Sequence, residues 1–192
     1  MSQGRLGVAG LLLGLVLAAC GEDDGVEPAT AELWTVPPPS LDRLEGAVRD
    51  RLREAQDELD AAVERDADDL GERMGETGKL YHAHGFVDAA EACYLNARRL
   101  DPETFAWPYL LGRLYGQNGD GARGEEALKR ALELREDYVP AWIALGHLRR
   151  ETNRLPEAAE AYDQALRLDA DSPAAWIGLG RTALAREDYA AA

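Results

Sequence analysis

The chain has 192 residues, which is room for about one or two domains. Its 21 Lys and Arg face 36 Asp and Glu, and the resulting net charge of −15 argues against binding to nucleic acid. Aromatic residues make up only 7% while Ala, Leu and Glu abound, so the composition favours an all-α protein. The two cysteines, Cys20 and Cys93, form no CxxC pair, and we expect no structural disulfide.

The N-terminus has the features of an export signal. An apolar run from Leu6 to Ala19 is too short for a membrane span of about 20 residues but suits a signal-peptide core. The run ends Leu17-Ala18-Ala19-Cys20, which resembles the bacterial lipobox, whose cysteine thiol receives diacylglycerol. The resemblance implies that residues 1–19 are removed and that Cys20 is lipidated. An ordinary secretory signal with a chance cysteine and an uncleaved anchor are the alternatives.

Lipidation would place the protein in the bacterial cell envelope, facing the periplasm. In Gram-negative lipoproteins an Asp after the cysteine resembles an inner-membrane retention signal, so Gly21 favours the outer membrane. Residues 20–40 are acidic at their start, contain Pro37-Pro38-Pro39 and lack apolar periodicity, which predicts a tether. Trp34 has a second interpretation, because a lone aromatic residue in a tether could dock on the body or on a lipid interface.

The next segment, residues 41–70, carries the apolar spacing of one amphipathic helix. Its stripe consists of Leu41, Leu44, Val48, Leu52, Ala55, Leu59 and Val63. Ser40 is a plausible N-cap residue. We predict that this helix caps the structure that follows; a partner-binding or coiled-coil helix is the alternative.

The remainder of the chain repeats itself every 34 residues. The units are 71–104, 105–138, 139–172 and a truncated 173–192. The same types of residue recur in register: Thr77-Gly78, Leu111-Gly112, Leu145-Gly146 and Leu179-Gly180; the turn residues Gly85, Gly119, Asn153 and Glu187; and Tyr94, Leu128 and Tyr162. Each unit is therefore predicted to be helix, turn, helix.

This pattern resembles the tetratricopeptide repeat, most closely at 142–146, 176–180 and 94–102. The resemblance implies an all-α, right-handed superhelix (α-solenoid) of stacked helix-turn-helix repeats behind a capping helix. No single unit can bury its apolar face alone, so neighbouring units must stack. The departures are local: Thr77 replaces Leu, Arg149 replaces Tyr, and only the first unit keeps the final Pro.

No catalytic or metal-binding constellation is evident in the sequence. GxSxG, GxxxxGK[ST] and HExxH motifs are missing, so we expect no enzyme activity and no cofactor. His82 and His84 are two residues apart on a predicted helix and point in different directions, which argues against a shared metal. Cys93 is interpreted as a small buried thiol rather than a reactive one.

The candidate functional residues form a basic line along the first helices of the repeats. The residue after each repeat glycine is Lys79, Arg113, His147 or Arg181. In tetratricopeptide proteins this flank lines the concave groove, which implies a partner-binding surface. Its members are Lys79, His82, Tyr109, Arg113, Ile143, His147, Arg150, Ile177 and Arg181. Simple pairing of these cations with neighbouring Glu residues is the competing interpretation.

The carboxylate-clamp variety of the repeat, which holds chaperone C-termini with Lys and Asn, is not matched. We therefore predict a lipid-anchored scaffold that binds a protein or peptide segment with acidic groups. The alternative is an accessory N-terminal module of a longer secreted enzyme or redox protein. Self-association through the fourth unit is a third possibility, since residues 190–192 lack a polar cap and a longer array is expected. The oligomeric state is left open.

Overall fold

The computed structural model describes residues 33–42, 44–65 and 67–186, and these residues form eight helices and no strand. The helices are α1 (Gly46–Glu64), α2 (Leu70–Ala83), α3 (Val87–Leu100), α4 (Ala106–Gln117), α5 (Gly121–Leu134), α6 (Val139–Glu151), α7 (Leu155–Leu168) and α8 (Pro173–Ala185). The predicted all-α repeat solenoid is confirmed. None of these helices is long and apolar enough to cross a membrane.

Local sequence explains where several helices begin and end. Proline occupies the first turn of α6, α7 and α8, where its missing N–H costs no hydrogen bond. Asp120 caps α5 by accepting a hydrogen bond of 3.1 Å from the backbone N–H of Arg123. The turns after α2, α4 and α6 contain Gly85, Gly119 and Asn153 with φ of +77°, +79° and +58°. These residue types tolerate the left-handed conformation, as the repeat pattern predicts. Glu187 lies outside the described residues.

The helices pack as consecutive hairpins, α2 on α3, α4 on α5 and α6 on α7. Within each hairpin a bulky side chain fills the space beside a glycine. A Cβ atom on Gly78, Gly112 or Gly146 would lie 2.8, 2.5 and 2.6 Å from Tyr94, Leu128 and Tyr162, respectively. Close approach of the paired helices therefore depends on these glycines, and we call each such contact a glycine notch.

Gly75 and Gly180 both lie in helices, but one is crowded and the other is not, so substitution by alanine should have opposite effects on stability. A Cβ on Gly75 would lie 2.1 Å from the Trp107 ring, whereas a Cβ on Gly180 would meet no described atom within 4 Å other than those of its own helix. We expect Gly75→Ala to lower the free energy of unfolding by about 1–3 kcal/mol through overpacking. Gly180→Ala should instead raise it by up to about 1 kcal/mol, because alanine favours helix. Urea unfolding of both variants measures this, and equal effects would contradict the packing argument.

The helix before the repeats starts later than its sequence suggests. The prediction of an N-cap at Ser40 is wrong: α1 begins at Gly46, and Glu45 is the N-cap residue, without a side-chain hydrogen bond. Leu41 and Leu44 precede the helix and pack against the buried apolar residues of α1 to α5, which we call the first core cluster. Two residues of the stripe, Leu52 and Leu59, are buried, as is Ala62 outside it, and α1 packs on α2.

The segment 33–40 contains no helix or strand, and Leu33, Trp34 and Val36 contact the body, so these three residues are not part of a free tether. The fully buried Asn96 side chain on α3 makes two hydrogen bonds of 2.8 Å to Trp34, accepting from its backbone N–H and donating to its carbonyl. Leu33 and Val36 pack against the first core cluster. The backbone of Trp34 is thus held on the body, while its indole is 47% exposed and its ring centre lies 5.9 Å from Arg99 Cζ. Residues 20–32 lie outside the described part of the chain.

Candidate partner-binding groove

The predicted groove residues all lie on the first helices of the repeats, α2, α4, α6 and α8, where α4 packs beside α6 and α6 beside α8. We call their shared surface the first-helix face. Lys79, Arg113, His147 and Arg181 are exposed, one on each helix. Ile177 is also exposed, at 55% of its surface. His82, Tyr109, Ile143 and Arg150 are partly buried.

The basic residues of this face are interpreted either as a partner-binding surface or as cations paired with neighbouring Glu residues, and their ion pairs distinguish the two. Lys79 forms an ion pair of 2.5 Å with Glu76, and its Nζ atom also lies 5.5 Å from the centre of the Trp107 ring. In contrast, no carboxylate of the described residues lies within salt-bridge distance of Arg113, Arg150 or Arg181. Internal pairing therefore accounts for Lys79 but not for the three arginines.

One cavity joins two of the predicted residues. Arg113 on α4 and His147 on α6 both line a cavity of about 220 Å³ between these helices. Gly112 and Gly116 contribute no side chain to the α4 wall, Leu128 and Leu148 supply apolar surface, and the Glu151 carboxylate adds a negative charge. The size suits a single small side chain of a partner. Sequence reasoning missed Gln117 and Glu151 as lining residues, because only the packing of α4 on α6 brings them here.

His82 is engaged within the protein. Its Nε2 atom lies 2.7 Å from Gln117 Oε1 on α4, and its Nδ1 atom lies 3.4 Å from the Tyr94 hydroxyl on α3. The contact with Gln117 joins the first repeat to the second, whereas Tyr94 belongs to the same repeat as His82. His82 thus has a structural partner on both ring nitrogens, unlike the arginines farther along the face.

His147 differs from the arginines in its charge. Its ring lies 5.7 Å from the ring of Tyr162, and partial burial together with the nearby Arg150 guanidinium lowers the pKa of His147 below its usual 6.5. The imidazole is therefore neutral near pH 7. It contributes a hydrogen-bonding group there and a positive charge only in more acidic solution.

Tyr109 belongs to an aromatic cluster that sequence reasoning did not find. The Tyr109 ring packs edge-on against Tyr138, with ring centres 5.0 Å apart, and Phe105 packs against the same Tyr138 at 4.8 Å. Arg135 lies over both Phe105 and Tyr138, and Arg113 lies 6.0 Å from the Tyr109 ring centre. The sequence contained a signal for this cluster: Phe105 is the first residue of the second unit and Tyr138 is its last, 33 residues later. The cluster holds Tyr109 beside Arg113.

The described residues contain no group of three or more His, Cys, Asp or Glu placed to hold a metal ion. Cys93 is fully buried on α3, and burial raises the pKa of its thiol to about 12. The thiolate needed for nucleophilic chemistry is therefore almost unpopulated at neutral pH. Cys20 lies outside the described residues.

Comparison with known families gives the same architecture. The family described as tetratricopeptide repeat matches residues 76–141 and 143–192, which is more than half of the chain. The chain belongs to the tetratricopeptide repeat family. No curated protein sequence matches it. Members of this family are generally non-catalytic scaffolds.

Solved tetratricopeptide domains resemble this chain over most of their own length. The first such domain of Spaghetti (RPAP3), bound to the HSP90 peptide SRMEEVD, is 25% identical, with a TM-score of 0.59 over 61% of this chain and 93% of that one. The first domain of human RPAP3 is 24% identical, with a TM-score of 0.60 over 63% and 95%. MamA is 21% identical, with a TM-score of 0.67 over 74% and 81%. This tetratricopeptide chain therefore has the fold of a protein-interaction scaffold.

Proposed function

We propose that the first-helix face binds a protein segment rich in carboxylates. The observation that carries the proposal is the set Arg113, Arg150 and Arg181, which has no ion-pair partner among the described residues of a strongly acidic protein. The Spaghetti domain, whose fold is similar, binds a peptide that contains two glutamates and an aspartate. Arginines beside apolar side chains suit such a segment, since they can bind carboxylates in a two-pronged manner.

The mechanism is recognition without chemistry. A carboxylate of the partner would approach Arg113 at the mouth of the α4–α6 cavity, and a small side chain would enter the cavity itself. Ile143 and Ile177 would contact apolar side chains of the same segment. Exposed charges contribute mainly orientation and rate of association, while the buried contacts supply most of the affinity.

Charge reversal tests the groove. We expect Arg113→Glu/Arg181→Glu to weaken binding of an acidic partner segment by about 10- to 100-fold, because two attractions become repulsions. Partners captured by the mature protein from envelope extract are identified by mass spectrometry, and synthetic acidic segments of them are then titrated by calorimetry.

The matched control is Arg53→Glu/Arg167→Glu, which changes the net charge equally at exposed positions on α1 and α7. The control should bind as the unaltered protein does. Equal loss of binding in both double variants would attribute the effect to net charge and contradict the groove, as would full binding by the Arg113→Glu/Arg181→Glu protein with an unchanged helical spectrum.

His147 predicts a pH dependence for the same binding. Its lowered pKa means that protonation occurs below pH 6.5, where it adds a positive charge to the face while partner carboxylates stay ionised. We expect affinity for an acidic segment to rise about two- to fivefold when the pH falls from neutrality to a value below the pKa of His147 but above the pKa values of the partner's carboxylates. His147→Gln should remove this rise, and a rise that persists in the variant would assign it to another group.

We also propose that Cys20 carries the lipid anchor of a bacterial envelope protein, facing the periplasm and on the outer membrane if the cell is Gram-negative. The support is the Leu17-Ala18-Ala19-Cys20 sequence at the end of the apolar run. Because Leu33 is packed on the body, only residues 21–32 would link it to the lipid. Twelve extended residues span about 40 Å, so the body would stay close to the membrane.

Mass spectrometry of the protein expressed in a bacterium tests the anchor. We expect a mature N-terminus at Cys20 with the added mass of acyl chains, and recovery in the membrane fraction. Cys20→Ala should abolish both the acyl mass and the membrane recovery. An unacylated mature chain in the soluble periplasmic fraction would overturn the anchor while leaving the groove proposal untouched.

A further inference from the structure

Cationic side chains surround the Tyr162 hydroxyl in the space between α6 and α8. We call this space, which α7 closes from behind, the α6–α8 seam. The Tyr162 ring fills its inner part, since a Cβ on Gly146 of α6 or on Gly178 of α8 would lie 2.6 or 2.3 Å from the ring. The hydroxyl at the end of the ring is buried and has no hydrogen-bond partner among the described residues. Such a group is costly unless another group pairs with it.

Two arginines lie close to this hydroxyl. Burial raises the pKa of Tyr162, and the nearby guanidinium groups of Arg150 on α6 and Arg181 on α8 oppose that rise. The Nε atom of Arg150 is itself buried and lacks a hydrogen-bond partner within the described ranges. The His147 ring lies 5.7 Å from the Tyr162 ring, and the Glu151 carboxylate is also near but forms no ion pair with either arginine. Unpaired donors therefore converge here from α6, α7 and α8.

The same place between the first two repeats is satisfied within the protein. Tyr94 is the equivalent tyrosine, and its hydroxyl lies 3.4 Å from His82 Nδ1, while His82 Nε2 lies 2.7 Å from Gln117 Oε1. Two repeats later, Arg150 stands in the place of His82 and Ala185 in the place of Gln117. The alanine supplies no side-chain acceptor, so the donors of the α6–α8 seam stay unpaired.

The α4–α6 cavity shows which helices line a seam of this kind. Its walls come from α4, α6 and Leu128 of α5, and no residue of α7 lines it. In the 34-residue register, the helices that correspond to α4, α5 and α6 are α6, α7 and α8, and the structure describes all three. The α6–α8 seam therefore has its full set of walls, and it opens on the first-helix face.

We propose that the α6–α8 seam binds one carboxylate of the acidic partner segment, between the Arg150 and Arg181 guanidinium groups and within reach of the Tyr162 hydroxyl. A carboxylate has about four acceptor sites, so it can pair with donors from three side chains at once. Its charge also favours the two arginines over water as partners. The inference rests on the proposed groove function, to which it adds a second point of contact besides Arg113.

The separation of the two contact points sets the spacing of acidic residues in the partner. Packed neighbouring helices lie about 8–10 Å apart, so the α4–α6 cavity and the α6–α8 seam are about one helix spacing apart. A segment in the polyproline II conformation advances about 9 Å in three residues and then presents the same side again. The partner should therefore carry two acidic residues three positions apart.

A capped peptide with two glutamates separated by two alanines serves as the probe. It is titrated into the mature protein at low salt, and NMR should show a saturable shift of the Arg150 side-chain N–H signal. Backbone amide signals of α8 measure the affinity in variants. We expect Arg150→Gln to weaken binding at least about tenfold and Tyr162→Phe about three- to tenfold, because each removes a hydrogen bond to a charged group. The control Arg167→Gln, which removes an exposed charge from α7, should bind as the unaltered protein does.

Peptides in which glutamine replaces each glutamate in turn test for direct contact. With one of these two peptides, Arg150→Gln and the unaltered protein should bind equally, because the carboxylate that Arg150 contacts is gone. No saturable shift with the probe, or undiminished binding by both Arg150→Gln and Tyr162→Phe, would overturn the inference. Tyr162→Phe leaves Arg113 and Arg181 in place, so if Arg113→Glu/Arg181→Glu still loses its captured partners, the groove proposal stands although the seam does not.

Discussion

Tyr162→Ala is expected to lower the free energy of unfolding by about 3–5 kcal/mol, the range for truncation of a large buried aromatic residue. The Tyr162 ring is fully buried and fills two places at once. A Cβ on Gly146 of α6 would lie 2.6 Å from it, and a Cβ on Gly178 of α8 would lie 2.3 Å from it. Its removal therefore loosens both the α6–α7 hairpin and the docking of α8.

Tyr162→Phe is the matched control. The Tyr162 hydroxyl is buried and has no hydrogen-bond partner among the described residues, so its removal should change stability by less than about 1 kcal/mol. Urea unfolding followed by circular dichroism measures both variants, and hydrogen exchange shows whether α8 opens first, as expected for an array of repeats. Similar losses in the two variants would mean that the hydroxyl, not the ring, stabilises this junction.

The second large effect is expected at Asn96. Asn96→Ala removes both hydrogen bonds to the backbone of Trp34 from a fully buried position, and we expect a loss of about 1–3 kcal/mol. The segment 33–40 should then detach from α3. Faster amide hydrogen exchange at residues 33–36, with little change in α4–α7, is the expected result.

Trp34→Ala provides the comparison. Asn96 binds the backbone of residue 34, and the Trp34 indole is 47% exposed, so this variant should keep the segment docked. Its loss of stability should be clearly smaller than that of Asn96→Ala. If instead Trp34→Ala detaches the segment and Asn96→Ala does not, the indole rather than the Asn96 hydrogen bonds holds the segment in place.

The repeat architecture was predictable because it depends on local and periodic features. The 34-residue recurrence of glycines, alanines and bulky residues specifies which sides of consecutive helices meet, and Gly85, Gly119 and Asn153 mark the turns. The start of α1 was not predictable in the same way. Its apolar stripe continues upstream through Leu41 and Leu44, but these residues lie before the helix and pack, partly buried, against the first core cluster.

The positions of the candidate site residues could be predicted from the sequence, but their ion pairs could not all be predicted. The repeat register placed one basic residue on each first helix, and all four are exposed. Lys79 pairs with Glu76 three residues earlier on the same helix, which is a local contact. Tertiary packing decides other pairs: Arg149, outside the predicted face, pairs with Glu125 at 3.2 Å across the α5–α6 junction. The cavity between Arg113 and His147 likewise exists only because α4 packs beside α6.

By itself, the sequence determined the helical repeats, their turns and the line of basic residues, since each follows from spacing along the chain. The tertiary structure alone decided that the segment beginning at Leu33 docks on α3 through Asn96 and that His82 joins two repeats. These features join residues far apart in sequence, such as Trp34 and Asn96, 62 positions apart. Contacts of that kind carry no periodic signal, because they depend on shape and hydrogen-bond geometry formed only when the helices pack.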